Sequence, residues 1–197
     1  MKSVLISIRP KWCELIASGK KTLEIRKTRP KLETPFKCYI YCTKPSKKYQ
    51  TICGCMVLNS DELYRHPRDG IKYGDSIELM ALDGDEYGSD NFLNGKVIGE
   101  FMCDEIEEFA ADYRMDTEQT ERISELSCIK MSELMEYGYY SDCLFAWHIS
   151  ELKIYDKPRD LSEFTRIQAT RFGMRPDKLK RAPQSWCYVE SLQEVEE

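Results

Sequence analysis

The sequence has few of the residue patterns that mark a common enzyme class. Only two histidines occur in its 197 residues, His66 and His148, and they lie far apart in the chain. This disfavours a histidine-based triad or metal site. The glycine-rich phosphate-binding loops and the Gly-x-Ser-x-Gly turn are missing from the sequence. We therefore predict no metal and no cofactor, and we interpret His148 as a structural or surface residue.

Long hydrophobic runs are also missing, because none approaches the roughly 20 residues that a membrane-spanning helix needs. The N-terminal residues MKSVLISIRPKW carry charges on both sides of a short apolar stretch, which is typical of a first strand rather than a secretory signal. The nine cysteines include no Cys-x-x-Cys pair. We interpret most of them as small core residues of a reduced protein. These features predict a cytoplasmic protein with no membrane partner.

Charge is distributed unevenly along the chain, although the net charge is only −5. Residues 1–50 contain 13 Lys and Arg against 3 Asp and Glu, whereas residues 51–157 contain 9 against 24. A basic segment of this kind is a hint of a surface that binds a polyanion such as nucleic acid. The alternative is that the acidic segment folds against the basic one, and the sequence leaves both open.

The start of the chain predicts a strand, a short helix and a second strand. Pro10 suits the first position of the helix, and Gly19 suits its C-terminal end. The run KTLEIRK that follows alternates apolar and polar residues, so that Thr22, Glu24 and Arg26 share one face of a strand.

Strand-like and helical patterns divide the rest of the chain. Strands are predicted at residues 36–44, 51–59 and 73–82, at the beginning of 96–109, and at 143–156, where Pro158 ends the run. The acidic region favours helices, with Ser132 as an N-cap, and the tail is predicted to hold a helix near residues 161–172. Few helices and no βαβ alternation predict an α+β fold, a small β-barrel with inserted helices.

The segment from Gly19 to Arg26 has the pattern Gly-x-Lys-x-x-Glu-x-Arg, which resembles the signature of the ASCH (activating signal cointegrator homology) superfamily. The runs SIRPKWCELIASGKKTLEIRK, KVIGEF and LFAWHISELKIYDKP resemble, in this order, other parts of such domains. The resemblance covers residues 1–157 and implies a PUA-like β-barrel with an opening helix and a helical insert at about 107–140. Residues 158–197 are similar to the C-terminal extensions of short bacterial and phage-associated members. We expect this extension to pack on the domain, with its Trp186 and Tyr188 against the barrel.

The resemblance implies a cleft between the barrel and the opening helix that binds RNA or a modified nucleotide. The ligand-binding residues that it implies are Lys20, Lys21, Thr22, Glu24, Arg26 and Glu100. On a regular strand Lys21 would point away from Glu24 and Arg26, so we expect Lys21 to precede the pleated part of the strand or a bulge to reorient it. Basic residues around the cleft are expected to track a phosphate backbone: Lys20, Lys27, Arg29, Lys31, Lys44, Lys47 and Lys48.

Two alternatives to RNA or nucleotide binding stay open. One bacterial branch of the family hydrolyses the amide of N4-acetylcytidine with a lysine, a threonine three residues later and a distant glutamate. The resemblance gives Lys21, Glu24 and Glu100 these positions, so the first alternative is an amidohydrolase that acts on N4-acylated cytidine nucleosides. A carboxylate cannot replace the attacking hydroxyl, and a lysine held between carboxylates is expected to have a raised pKa, both of which favour binding over catalysis. The second alternative is a protein-interaction module that uses the acidic helical region, with partners that the sequence does not name.

Overall fold

A seven-stranded sheet organises the fold in the computed structural model, which describes residues 2–43, 49–52, 55–58, 95–110, 117–139, 141, 143–170 and 173–192. The strand predicted at 73–82 lies outside these residues, as do His66, Lys44, Lys47 and Lys48. The structural statements below concern the described residues.

Strands make up most of the described elements. They are β1 (Lys2–Ile8), β2 (Leu23–Arg26), β3 (Phe36–Cys42), β4 (Tyr49–Ile52), β5 (Cys55–Leu58), β6 (Val97–Cys103), β7 (Ile106–Phe109), β8 (Leu144–His148), β9 (Ser150–Arg159), β10 (Thr165–Thr170), β11 (Gly173–Lys178) and β12 (Trp186–Glu190). The helices are α1 (Pro10–Ala17), α2 (Thr117–Ser127) and α3 (Met131–Gly138), with a short 3₁₀ helix at Leu161–Glu163. None of the helices in the described ranges is long and apolar enough to cross a membrane.

The described strands form three sheets. The largest has the order β11-β10-β12-β1-β3-β6-β9, the second has the order β2-β8-β7, and β4 pairs with β5. Strands β1 and β3 are parallel, and the chain passes from one to the other through α1 and β2. The mixed α+β class is confirmed. In the described part of the chain the sheets keep open edges, so the closed PUA-like barrel stays a prediction.

The seven-stranded sheet is buried on both faces. In β1, Val4 and Ile6 belong to one hydrophobic core, whereas Leu5 between them belongs to another. Successive side chains of a strand point to opposite faces, so the two cores lie on the two sides of the sheet. The first core also includes Cys38, Ile40, Phe101 and Trp147, and the second core includes Tyr39, Val97, Phe164 and Val189.

The three-stranded sheet forms a further layer between the first core and the helices. Trp147 of β8 is part of the first core. Leu23 and Ile25 of β2 pack instead with Ile123 of α2 and Leu134 of α3 in a third core. The small sheet therefore has one face toward the large sheet and the other toward the helices.

The opening of the chain folds as its sequence predicts. Helix α1 begins at Pro10 and is capped at Ser18, and Gly19 follows with φ of 73°. Glycine adopts this left-handed conformation without the steric cost that a side chain adds. His148 lies at the surface, with Nδ1 2.7 Å from Asp104 Oδ1.

Two predictions are wrong, one about the tail and one about strand β9, which precedes it. The helix expected near 161–172 is a short 3₁₀ helix followed by β10, because β10 pairs with β11 and β12 and sheet pairing overrides local helix preference. Strand β9 also continues through Pro158 to Arg159. Proline is tolerated there because β9 is the edge of the large sheet, where one side of the backbone needs no partner.

Two further element boundaries differ from the predictions. The single strand expected at 51–59 is divided, because Tyr49–Ile52 pairs with Cys55–Leu58 in an antiparallel hairpin. Helix α3 begins at Met131 with Lys130 as the N-cap residue, so Ser132 lies inside the helix rather than at its cap. The N–H of Lys130 donates to Glu133 Oε2 at 3.4 Å, and the carbonyl oxygen of Lys130 accepts from the N–H of Glu133 at 2.9 Å, so a serine cap is not needed.

Candidate functional site

Lys21 lies two residues before β2 begins, which confirms that it precedes the pleated part of the strand. Its side chain is 1% exposed. The Nζ atom donates hydrogen bonds to the carbonyl oxygens of Leu23 at 2.7 Å and Ser127 at 2.8 Å, and it lies 3.4 Å from Glu24 Oε2. These three partners match the three N–H groups of an ammonium ion, so Lys21 is held as a charged donor.

The pKa of Lys21 is shifted in the opposite direction from the prediction. Burial lowers it from the ordinary value, and this outweighs the carboxylate of Glu24, which raises it. The two carbonyl oxygens that accept from Nζ are uncharged. The carboxylate of Glu24 is visible in the sequence, whereas the burial of Lys21 is set by the tertiary structure.

Glu24 and Arg26 complete a buried charged group with Lys21. Glu24 Oε1 is 2.8 Å from Arg26 Nη2, and the side chains of Glu24 and Arg26 are 7% and 10% exposed. The Nη2 atom of Arg26 also donates to the carbonyl oxygen of Ser7 at 2.7 Å, and Nη1 donates to Ser185 Oγ at 3.4 Å. We call Lys21, Glu24 and Arg26 the signature cluster. With Glu24 ionised, it carries two positive charges and one negative charge inside the protein.

The pairing of β2 with β8 aims the signature cluster at the first core. Glu24 is opposite Trp147 and Arg26 is opposite Phe145, and both aromatic residues pack in that core. Strand neighbours in register share a face, so Glu24 and Arg26 lie between the two sheets. The positive charge of Arg26 also acts on the thiol of Cys38 in β3, which places the guanidinium near the large sheet.

Tyr137 of α3 lies beside the signature cluster at the protein surface. Its side chain is 41% exposed, and Lys27 Nζ is 5.0 Å from the centre of its ring. Burial raises the pKa of Tyr137, and the charges of Arg26, Glu24 and Arg9 also act on it. A partly exposed aromatic ring therefore lies beside Lys27, which directly follows Arg26 of the cluster in the chain.

Basic and aromatic side chains continue from Tyr137 toward β12. Thr28, which follows Lys27, accepts a hydrogen bond from Trp186 Nε1 at 3.0 Å. The rings of Trp186 and Tyr188 are 5.3 Å apart, and Lys2 Nζ is 3.8 Å from the centre of the Tyr188 ring. The Tyr188 hydroxyl accepts a hydrogen bond from the backbone of Lys31 at 2.7 Å. We call this surface the basic–aromatic band: Lys2, Lys27, Lys31, Tyr137, Trp186 and Tyr188.

The structure does not bring Glu100 to the signature cluster. Glu100 Oε1 is 2.8 Å from Lys37 Nζ, and Oε2 accepts from the Tyr155 hydroxyl at 2.5 Å. In the β3–β6 register Glu100 is opposite Tyr39, so it lies on the second-core face of the large sheet. We call Lys37, Glu100 and Tyr155 the Glu100 cluster.

Hydrogen bonding decides the charge of Glu100. Burial alone would raise its pKa, but hydrogen bonds from Lys37 and Tyr155 and the positive charge of Lys37 lower it overall. Burial and the neighbouring carboxylate raise the pKa of Tyr155, so the phenol keeps its proton and donates it. Each oxygen of Glu100 therefore has a donor within the fold.

Lys20 and Thr22 hold the signature segment in place through their backbones. The carbonyl oxygen of Lys20 accepts from Cys128 Sγ at 3.3 Å, and the side chain of Lys20 is exposed. The N–H of Thr22 donates to Leu126 at 2.9 Å, and its carbonyl oxygen accepts from Ile149 at 2.9 Å. These bonds connect the segment to α2 on one side and to the β8–β9 junction on the other.

Sequence reasoning missed three residues at this site: Ser185, Tyr137 and Trp147. Ser185 carries no pattern that identifies it. Tyr137 is one of the large side chains that α3 and its end leave exposed, with Met135 at 43% and Tyr139 at 77%. The alternation in LFAWHIS does place Trp147 on a strand face, but only the pairing with β2 shows that this face carries Glu24.

Comparison with known proteins identifies the fold. The chain matches the family model of the ASCH domain over residues 6–158. It is similar to the crystal structure of ASCH from Zymomonas mobilis, with a TM-score of 0.53 and 16% identity over 98% of this chain and 88% of that chain. A serine-to-alanine mutant of the Zymomonas mobilis protein matches with the same TM-score and identity, over 98% of this chain and 89% of that chain. At this identity the likeness concerns the fold alone. No curated protein matches the chain.

Proposed function

The chain belongs to the ASCH domain family, which is generally associated with RNA binding, and from this membership we propose that it binds RNA or a modified nucleotide. We propose that the binding cleft is lined by the Gly-x-Lys-x-x-Glu-x-Arg motif. The observation that carries the proposal is the signature cluster itself, three charged side chains fixed between two sheets beside an exposed aromatic ring.

The signature cluster has the chemistry to recognise the edge of a base. A carboxylate such as that of Glu24 accepts hydrogen bonds from an exocyclic amine, and a guanidinium such as that of Arg26 donates to ring and carbonyl acceptors. Both groups are held by protein partners at 2.7–2.8 Å. Donors and acceptors that are fixed before the ligand arrives lose less conformational freedom on binding.

The basic–aromatic band has the composition of a single-strand binding surface. Proteins that bind single-stranded nucleic acid combine basic side chains along the backbone with aromatic rings on which bases stack. Here Lys2 and Lys27 each lie over an aromatic ring, and Ser185, which bonds Arg26, directly precedes Trp186 of the band. We propose that a strand lies along the band and turns one base toward the signature cluster.

The test is the binding of a fluorescent single-stranded RNA at increasing salt. We expect the affinity to fall with salt, and replacement of Lys2, Lys27 and Lys31 with glutamate to weaken binding and flatten the salt dependence. A matched control replaces Lys153, Lys157 and Lys178, which are exposed elsewhere, with glutamate. Equal effects of the two triple variants would contradict the band, and the lack of any RNA binding at low salt would contradict the function.

One observation favours the amidohydrolase alternative, because the lowered pKa of Lys21 brings it closer to that of a general base. Against it, Nζ donates to two carbonyl oxygens and pairs with Glu24, which leaves no lone pair for a proton. Glu100 is also bonded elsewhere, and Glu24 offers no hydroxyl nucleophile. We expect no release of cytidine from N4-acetylcytidine by the wild-type protein. Turnover that Lys21→Ala abolishes would favour the enzyme over the binding protein.

A further inference from the structure

Two buried N–H donors next to the signature cluster have no hydrogen-bond partner among the described residues. They are Arg26 Nε and the indole Nε1 of Trp147. Arg26 is 8% exposed and Trp147 is fully buried. Buried donors are nearly always satisfied in folded proteins, because an unsatisfied one loses its bond to water without replacement. Two such donors at one site require an explanation.

The two donors lie on the same face of adjacent strands. In the β2–β8 register Trp147 is opposite Glu24, and Arg26 is two residues beyond Glu24 on the same side. Diagonal neighbours of this kind have Cβ atoms roughly 7–8 Å apart, within reach of long side chains. Both therefore face the first core, and the site of the unpartnered donors is continuous with the signature cluster.

Trp147 also connects this site to the surface. Its ring centre is 6.0 Å from that of Trp186 in the basic–aromatic band. Trp186 Nε1 donates to Thr28, whereas Trp147 Nε1 has no protein acceptor in the described ranges. Of two neighbouring indoles, the one at the band is satisfied and the one beneath it is not. A ligand that reaches inward from the band would supply the acceptor that Trp147 Nε1 lacks.

The missing partner has to be a hydrogen-bond acceptor, and its surroundings favour an uncharged one. Both groups can only donate. The signature cluster has one positive charge in excess, but the rest of the surroundings belongs to the hydrophobic core and includes Phe36, whose ring centre is 6.0 Å from that of Trp147. Moving a phosphate into such a place costs far more than moving a neutral carbonyl group, because desolvation of a full charge is the larger penalty.

We propose that Arg26 Nε and Trp147 Nε1 form a carbonyl subsite, which takes the exocyclic carbonyl oxygen of a nucleobase turned inward from the basic–aromatic band. The inference rests on the proposed function and narrows it to bases with an exocyclic carbonyl oxygen, which are uracil, cytosine and guanine. Adenine has no exocyclic carbonyl group and fits the subsite less well. Trp147 then determines base specificity from outside the Gly-x-Lys-x-x-Glu-x-Arg motif.

The direct test observes the indole N–H signals in a ¹⁵N-labelled protein. The chain has three tryptophans, Trp12, Trp147 and Trp186, so three signals are assigned with single Trp→Phe variants. Free uracil, cytosine, adenine and inorganic phosphate are added in separate titrations. We expect the Trp147 signal to move with uracil and cytosine and to move little with adenine or phosphate. A Trp147 signal that moves only with phosphate, or that moves with none of the four compounds, would overturn the carbonyl subsite.

Two variants measure what the donors contribute. Trp147→Phe removes the N–H and keeps an aromatic ring, and we expect about tenfold weaker binding of uracil, the effect of one buried hydrogen bond. Tyr155→Phe is the matched control, because it also removes one hydrogen-bond donor from an aromatic ring but lies in the Glu100 cluster, on the other face of the large sheet. Arg26→Lys keeps the charge but removes Nε, and we expect a similar loss for uracil.

The outcomes separate the subsite from the proposed function. RNA binding that is indifferent to the base and unchanged in Trp147→Phe would overturn the subsite and leave the proposed function standing. No RNA binding, together with a uracil-dependent shift of Trp147, would overturn the function and leave the subsite standing. A Trp147→Phe variant that folds and binds uracil as tightly as the wild type would show that the indole N–H takes no part in binding, which overturns the subsite whatever stability is lost with the larger ring.

Discussion

The signature cluster and the Glu100 cluster each place the carboxylate of a strand residue beside a positively charged side chain. The signature cluster lies between the sheets, with its three side chains at most 10% exposed. The Glu100 cluster lies on the other face, and the side chains of Lys37 and Glu100 are 23% and 18% exposed. Both carboxylates are bonded at 2.8 Å to a cation.

The two clusters differ in whether buried hydrogen-bond donors remain without a partner among the described residues. Every oxygen of Glu100 has a donor, and the Tyr155 hydroxyl that donates to it is satisfied by the same bond. In the signature cluster Arg26 Nε remains unpartnered among the described residues, as does Trp147 Nε1 next to it. A closed set of hydrogen bonds stabilises a fold, whereas surplus buried donors are costly unless a ligand uses them. On this difference we propose a structural role for the Glu100 cluster and a binding role for the signature cluster.

The largest contrast is expected in stability when each carboxylate is removed. Glu24→Ala leaves Lys21 and Arg26 as neighbouring buried cations, and breaking a buried pair costs about 3–5 kcal/mol. Glu100→Ala leaves one lysine whose side chain is already 23% exposed, for which we expect about 1 kcal/mol. Urea denaturation measures both free energies of unfolding. Glu24→Gln, which keeps an acceptor for Arg26, serves as the control and should lose less than Glu24→Ala. Equal losses for the two alanine variants would remove the distinction between the clusters.

The next contrast concerns RNA affinity when each cation is exchanged. Arg26→Lys removes the planar set of donors, and we expect roughly tenfold weaker binding because lysine cannot reproduce it. Lys37→Arg, the matched exchange in the Glu100 cluster, should leave the affinity unchanged. Fluorescence anisotropy with one RNA at fixed salt compares them. If Lys37→Arg weakens binding as much as Arg26→Lys, the ligand lies on the second-core face instead.

Acid should affect the Glu100 cluster through its lowered pKa. A carboxyl group whose folded pKa is below the unfolded value, here near 4.5, contributes stability that is present above 4.5 and is lost as the pH falls through the folded pKa. We expect a contribution on the order of 1 kcal/mol or less, because the pair is partly solvated. Thermal unfolding from pH 6 downward, roughly across that window, should show a shallower loss of stability for Glu100→Gln than for the wild type. An unchanged slope would show that Lys37 and Tyr155 do not hold the carboxylate in its charged form.

The smallest expected effect is at the edge of the basic–aromatic band. Lys27→Ala removes one exposed charge over the Tyr137 ring, and we expect a loss of RNA affinity of a few-fold and a salt slope smaller by about 1. Lys96→Ala is the control, because Lys96 is paired with Asp160 at 2.8 Å outside the band. Identical salt slopes for wild type and Lys27→Ala would place the RNA backbone away from Lys27.

The sequence by itself determined the local structure of the signature segment. Pro10 begins α1, Gly19 adopts the left-handed conformation after it, and Lys21 precedes the strand, as predicted. The two-residue period of a strand then places Glu24 and Arg26 on one face. These features depend on residues within one or two turns of each other, so short-range sterics and hydrogen bonding are enough to set them.

Only the tertiary structure decided which other side chains meet that face. In the pairing of β3 with β6 the register shifts by one residue, because Ile40 is opposite Gly99 whereas Tyr41 is opposite Val97, and such a shift moves the side chains that follow to the opposite face. Glu100 consequently lies on the second-core face, away from Lys21. Trp147 reaches Glu24 because β8 pairs with β2 across more than a hundred residues of chain. Register and pairing partner are fixed by which faces become buried together, and that energy exists only once distant segments are in contact.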